Sequence, residues 1–335
     1  NNTSEEKNMK NKNTTSIALL FCLGLAAYFF TNNQSSISRS DHRDFAVSDT
    51  SQIAEIKITS KKPETATLKR VDEESWLINE EFRASKSSIY YLLKTLQRME
   101  VAYPVPLSLR DNVLGNLAVK GLKVDVLLKD GTEKIFYVGG ENKELTATFM
   151  MLKDATDPYA VHIPGFRGYL SSRFFTNEHL WRDKEIMDYN AQSITSINMQ
   201  FYDENDKNDS FHIDFDNESY ELTSFDANEN VLTNPQKVAA YRASFQELFA
   251  EAFITKPLDT DSLIKTEPIF DLTVQTTHHE THLKVFHKRA DVDTNVKDGR
   301  IYDPERLYAY VNEKDWMIIQ QNTFKKVIKR LADLK

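Results

Sequence analysis

The 335-residue sequence holds one cysteine, nine glycines and nine prolines, and each shortage excludes something. A single cysteine, Cys22, cannot form a disulfide framework, so the folded part is held together by core burial. Nine glycines are under half the roughly 7% average share, which leaves little material for the glycine-rich loops that cradle nucleotide phosphates. No GxSxG, Walker loop, dinucleotide fingerprint or zinc-ribbon spacing occurs. An excess of positive charge is also missing. The 42 Lys and Arg against 50 Asp and Glu give a net charge of -8, which argues against nucleic acid as a partner. What is present, 40% hydrophobic and 27% charged residues, is the composition of a folded protein, at a length of about two domains of roughly 150 residues.

Residues 17–30 (IALLFCLGLAAYFF) form an uncharged run, extended by Thr14 to Ser16 and by Thr31 to about 18 residues. That is the lower limit for spanning roughly 30 Å of hydrocarbon and the upper limit of a signal-peptide core. Both readings export the remainder of the chain. Lys7, Lys10 and Lys12 precede the run, so the positive-inside bias places the N-terminus in the cytoplasm and residues beyond about 32 outside it. The expectation is a single-pass anchor in a bacterial inner membrane with the C-terminal part in the periplasm. Cleavage at Gly24-Leu25-Ala26 and lipidation of Cys22 compete with it; Phe21 before the cysteine disfavours the second, and Tyr28 to Phe30 keep the run apolar past the first. Met9, opening Met-Lys-Asn-Lys, is the expected start residue. Residues 32–43 are polar and read as a tether.

Beyond the tether the chain passes twice through one order of elements, predicting an α+β fold of two tandem units, 44–178 and 179–335. In the first unit, strands are expected at Ile53 to Ile58, Thr65 to Val71 and Trp76 to Ile78. A helix capped by Ser85 follows, with Ile89, Leu92, Leu93, Leu96 and Met99 on one face. Tyr103-Pro104-Val105-Pro106 is extended by its prolines, and a short helix runs from about Asp111 to Val119. Hairpins pair 122–128 with 134–138 and 148–152 with 159–163.

The second unit repeats this order. Strands are expected at Ile194 to Met199, Phe211 to Phe215 and Tyr220 to Leu222. Next comes a helix capped by Asn234 with Val238, Tyr241, Phe245, Leu248 and Phe249 on its apolar face. Hairpins pair 270–274 with 283–286 and 307–311 with 316–319, and a closing helix carries Phe324, Val327, Ile328, Leu331 and Leu334. Hairpins with alternating apolar positions bury one sheet face under the helix, so mainly antiparallel sheets are expected.

Arg43 to Thr50, Ile53-Ala54-Glu55-Ile56, Ser75 to Asn79, Leu96 to Val101, Tyr103 to Pro106, Tyr137-Val138-Gly139-Gly140 and Val161 to Phe166 together resemble the envelope proteins carrying the domain of unknown function numbered 4340 (DUF4340), in the form found in Bacteroidetes-type bacteria. The resemblance covers about residues 43–175 and reaches the second half through the repeat. It implies an N-terminal membrane anchor and an accessory or scaffold role in a cell-envelope complex, with ABC-type transport components likened to the gliding-motility system as partners. It supplies no catalytic residue and no cofactor.

Chemistry-bearing clusters are few. His278, His279, Glu280 and His282, with His287 beyond, could bind zinc or copper, but the spacing is not HExxH and the place is a hairpin tip. Asp291, Asp293 and Asn295, with Asp298 and Asp303 downstream, resemble the first ligands of a calcium loop, yet Val296 and Tyr302 stand where an EF-hand needs glycine and glutamate. Asp203 to Asp209 reads as a polar turn. As contact surfaces, Tyr103, Pro104 and Pro106, and Pro164 and Phe166, stand out, because proline and aromatic side chains order at little entropic cost. The expectation is therefore a protein that is not an enzyme and carries no metal. The alternatives are an exported binding module for a small molecule, lipid or glycan between the units, and an envelope hydrolase.

Overall fold

The computed structural model describes residues 43–62, 64–217, 219–225, 231–255, 260–290 and 301–335. The expected anchor at 17–30 and the stretch Asp291 to Asn295 lie outside the described residues. Among the described residues no helix is long and apolar enough to cross a membrane. The fold is a mixture of mainly antiparallel sheets and few helices, in two compact units: the first ends at Trp181 and the second begins at Arg182.

Unit 1 contains β1 (Ile53–Thr59), β2 (Thr65–Arg70), β3 (Trp76–Ile78), β4 (Phe82–Arg83), α1 (Lys86–Arg98), β5 (Glu100–Pro104), α2 (Leu107–Lys120), β6 (Leu122–Leu128), β7 (Glu133–Glu141), β8 (Thr148–Leu152), β9 (Tyr159–His162) and α3 (Glu178–Trp181). Its sheet runs β4-β3-β2-β1-β6-β7-β8-β9-β5, every pair antiparallel. Ser85 caps α1, its Oγ accepting from the Ser88 N–H at 3.4 Å, and Ile89, Leu92 and Leu96 are buried along one stripe. Alternation along β7 and β8 separates two cores. Phe136, Val138, Met150 and Leu152 join the stripe of α1, whereas Tyr137, Phe149 and Met151 meet Val113 and Leu117 of α2.

Unit 2 contains β10 (Glu185–Met187), β11 (Ile194–Phe201), β12 (Phe211–Asp216), β13 (Ser219–Ser224), α4 (Pro235–Arg242), β14 (Leu248–Phe249), β15 (Ala252–Phe253), α5 (Thr260–Ile264), β16 (Phe270–Thr276), β17 (Glu280–Arg289), β18 (Tyr302–Val311), β19 (Asp315–Gln320), α6 (Gln321–Phe324) and α7 (Leu331–Leu334). The main sheet runs β13-β12-β11-β16-β17-β18-β19-β15, and β10 pairs separately with β14. Leaving out the two-residue β4, the strand order of unit 1 recurs here position by position. Smaller features recur as well. Asp49 caps the 3-10 turn before β1 and Asn190, 141 residues on, caps the one before β11. The register of β1 on β6 shifts between Ile53 and Glu55, and that of β11 on β16 shifts between Ile194 and Ser196, at the same offset.

Three helices differ from the sequence-based expectation. α2 begins at Leu107 rather than near Asp111, because Pro106 sits just before the first turn, where no N–H is required, and its carbonyl accepts from the Leu109 N–H at 2.9 Å. α4 stops at Arg242, where Ser244 Oγ donates to the Tyr241 carbonyl at 2.7 Å and Glu247 turns into the left-handed region at φ 52°. Phe245 and Leu248 are still fully buried, but from a turn and from β14, and Phe249 is exposed. The closing helix is two short ones: the β-branched pair Val327-Ile328 weakens the middle, and the Arg330 N–H donates to Asp333 to start α7.

Candidate functional site

Placing the histidine cluster on its hairpin scatters it. His278 and His279 occupy the turn between β16 and β17, where both of their backbone N–H groups donate to Thr276 Oγ1. Glu280 pairs in register with Gln275, while His282 lies opposite Thr273 and puts its Nε2 2.5 Å from Asp271 Oδ1. The His282 side chain is engaged by Asp271, and among the described residues no three His, Cys, Asp or Glu side chains gather to hold a metal. Asp303 is also engaged. Burial pushes its carboxyl upward, but the N–H groups of Glu305 (2.9 Å) and Arg306 (3.0 Å) and the Lys288 ammonium (3.4 Å) outweigh that and hold it below the usual carboxylate range. In the turn from Asp203 to Asp209, Asp206 pairs with Arg330 at 2.8 Å and Glu204 with Lys207 at 2.6 Å.

Tyr103 and Pro104 lie on β5, the edge strand, where a missing N–H is tolerated. Tyr103 Oη accepts from Asn142 Nδ2 at 3.0 Å, Val105 is buried with Val113 and Leu117, and Pro106 starts α2. Val105 thus ties the segment into unit 1, while Tyr103, 39% exposed, and Pro104 and Pro106 remain at the surface. Pro164 and Phe166 are exposed as well. They form the turn after β9, closed by the Phe166 N–H donating to the Ile163 carbonyl at 3.0 Å, and Phe166 is 38% exposed. Gly168, at φ 153°, brings its backbone so close to the Phe166 ring that a Cβ there would stand 3.0 Å from it.

Opposite that turn is a face of α1 that residue type and motif spacing do not single out. Tyr91, Lys94, Thr95 and Arg98 follow one another at helical spacing, beside the buried stripe. With Ile163, Pro164, Gly165, Phe166 and Arg173 they line a pocket of ≈ 400 Å³. The guanidinium of Arg173 lies 4.9 Å from the centre of the Tyr91 ring and 5.5 Å from that of Phe166, held by both π faces. Lys94 donates to Tyr90 Oη at 3.0 Å. Among the described residues no carboxylate lies within ion-pair distance of Lys94, Arg98 or Arg173. In a chain of net charge -8, three cations around one concavity without an acidic partner form a site of inverted local sign. Of its members only Pro164 and Phe166 were marked by residue type. The signal for the rest was the Tyr-Lys-Arg stripe at positions i, i+3 and i+7.

Unit 2 has a cavity of ≈ 440 Å³ lined among others by Phe286, His287, Arg289 and Tyr302.

A family model described as a domain of unknown function, DUF4340, matches residues 76–267, more than half of the chain. The match opens at β3, takes in the whole α1 pocket and ends just before β16. No curated protein and no solved structure matches.

Proposed function

The chain belongs to the DUF4340 family, and from that premise we propose that it is a non-catalytic, membrane-anchored accessory protein of a cell-envelope complex, acting through the α1 pocket of unit 1 as its binding surface. The observation that carries this reading is the pocket itself: Lys94, Arg98 and Arg173, unmatched by acids, stand beside the rings of Tyr91 and Phe166. Arginine with aromatic side chains is the combination enriched where proteins bind partners. The anchor is supported by the uncharged run 17–30 with lysines before it, and the periplasmic placement is supported by the same bias. Partners of the ABC-transport kind are supported by the family resemblance. The tandem duplication is supported by the shared strand order, the 3-10 caps at Asp49 and Asn190, and the register shifts at Ile53 and Ile194.

The test is to purify the tagged full-length chain from native membranes in mild detergent and identify the proteins that accompany it in stoichiometric amount. An envelope assembly, such as an ATPase with its permease, is the expected companion. A chain that stays in the soluble fraction, or that leaves the membrane alone and monodisperse, would overturn the reading.

A further inference from the structure

We infer that the α1 pocket of unit 1 binds a phosphate-bearing anion, its phosphate oxygens taken by Lys94, Arg98 and Arg173 and its organic remainder laid against Tyr91, Pro164 and Phe166. The inference rests on the reading of this pocket as a binding surface and goes beyond it by naming the chemistry of the occupant.

Three observations carry it. The first is charge. Three cations from two elements, α1 and the 3-10 turn at Ser171–Arg173, face one concavity with no carboxylate among the described residues to neutralise them. A carboxylate offers two oxygens in one plane, whereas a phosphate offers oxygens in several directions, which suits donors converging from two elements. The second is shape. A pocket of ≈ 400 Å³ lies in the range of small-ligand sites, and its apolar wall of one proline and two rings gives the non-phosphate part something to pack on.

The third is the comparison within the chain. The helix caps Ser85 and Asn234 are 149 residues apart, and that offset carries buried Ile89, Leu92 and Leu96 onto buried Val238, Tyr241 and Phe245. The same offset carries Tyr91, Lys94 and Arg98 onto Ala240, Ala243 and Glu247. Unit 2 keeps the packing residues without cations at these two positions, which lie past the last turn of α4, so the packing stripe does not require Lys94 and Arg98. In unit 2 the Tyr241 hydroxyl donates to the Val327 carbonyl and Lys326 donates to the Gln246 carbonyl, which ties the C-terminal segment to α4 and the turn after it.

Two sources could supply this chemistry, an anionic phospholipid headgroup or a soluble phosphate ester. The chain enters unit 1 beside the pocket: the Val47 N–H donates to the Leu96 carbonyl at 2.9 Å and Gln97 Nε2 donates to the Ser48 carbonyl at 3.3 Å. With the proposed anchor ending near residue 31, the tether reaches at most about 40 Å, which keeps a bilayer surface within range.

The experiment is isothermal titration of the full chain, held in zwitterionic detergent, with inorganic phosphate, glycerol phosphate and short-chain phosphatidylglycerol. It is repeated with Arg98→Gln, with Arg173→Gln and with a control at exposed Lys325→Gln in unit 2, each checked by circular dichroism for an unchanged fold. Saturable binding is expected, weakened at least tenfold by either arginine substitution and by raising the salt severalfold, and unaffected at Lys325. Binding of all three probes identifies the phosphate group itself as the determinant, and binding of the lipid alone identifies the headgroup as the source. No saturable binding of any probe, or binding that ignores both arginine substitutions, overturns the inference. If partner co-purification is lost with Arg173→Gln while no phosphate probe binds, the surface stands and the phosphate assignment falls.

Discussion

His287 shows how a single environment sets a measurable property. Its ring stacks on Tyr302 at 4.4 Å between centroids, and burial lowers its pKa below the usual imidazole value, with Asp203 opposing weakly. A histidine whose charged form is disfavoured by partial burial in the folded state favours the unfolded chain once protons become available. As pH falls through about 6.5, the unfolded state takes up the proton first, so stability is lost on acidification. Urea unfolding of the wild type and of His287→Gln at pH 7.5 and 5.5 reads this directly. The wild type is expected to lose more stability than the variant; equal losses would contradict the account of His287. Residue type alone marked the histidines, and β17 alternates their faces. His282 and His287 point to different surroundings, and His282 is taken by Asp271. Pro164 and Phe166 were marked because proline and aromatic side chains order at little entropic cost. Lys94, Arg98 and Arg173 were not, since a charged helix face is ordinarily solvated, and only the tertiary approach of the turn after β9 turns it into a pocket wall.

At the scale of elements, α2 shows what the sheet demands of a helix that covers it. Gly139 on β7 faces α2, and a Cβ there would stand 2.9 Å from Leu117 Cδ2 and 3.0 Å from the Phe149 carbonyl oxygen. Gly139→Val therefore forces α2 away from Tyr137, Phe149 and Met151, with an expected loss of about 1–3 kcal/mol, the usual range for overpacking. The denaturation midpoint measures it, and a change under about 0.5 kcal/mol, the ordinary scatter of surface substitutions, would contradict the close packing of α2 on β7. The strands were legible because period-2 alternation of Ile, Val and Phe matches a half-buried strand and puts apolar groups on both sides of a helix. The ends of helices were not. Phe245 and Leu248 continue the apolar spacing of α4 beyond its last turn, and periodicity cannot separate a buried helix from a buried turn at its end. The same ambiguity joined α6 and α7 into one expected helix.

At the scale of the molecule, each unit owns its core. From Ile186 to Leu334 most buried apolar side chains of unit 2 form one cluster, and most of those of unit 1 form two within residues 45–181. A chain of residues 182–335 is therefore expected to unfold cooperatively on its own, as followed by circular dichroism in urea; a gradual, non-cooperative loss of signal would show that this core is not self-sufficient. The order of elements, read twice from hydrophobic pattern, anticipated the two antiparallel sheets. It did not single out Lys94 and Arg98, because a charged helix face is ordinarily solvated, and α4 of unit 2 also carries cations, Lys237 and Arg242. The proposed working surface of unit 1 rests on Lys94, Arg98 and Arg173 around the α1 pocket. Its most direct test is the recovery of partners from native membranes with the wild-type chain, with Arg98→Glu/Arg173→Glu, and with Lys325→Glu as a control of equal kind in unit 2. Recovery at least tenfold lower with the pocket variant and unchanged with the control is the expected result; equal recovery with all three chains would contradict the assignment of the α1 pocket.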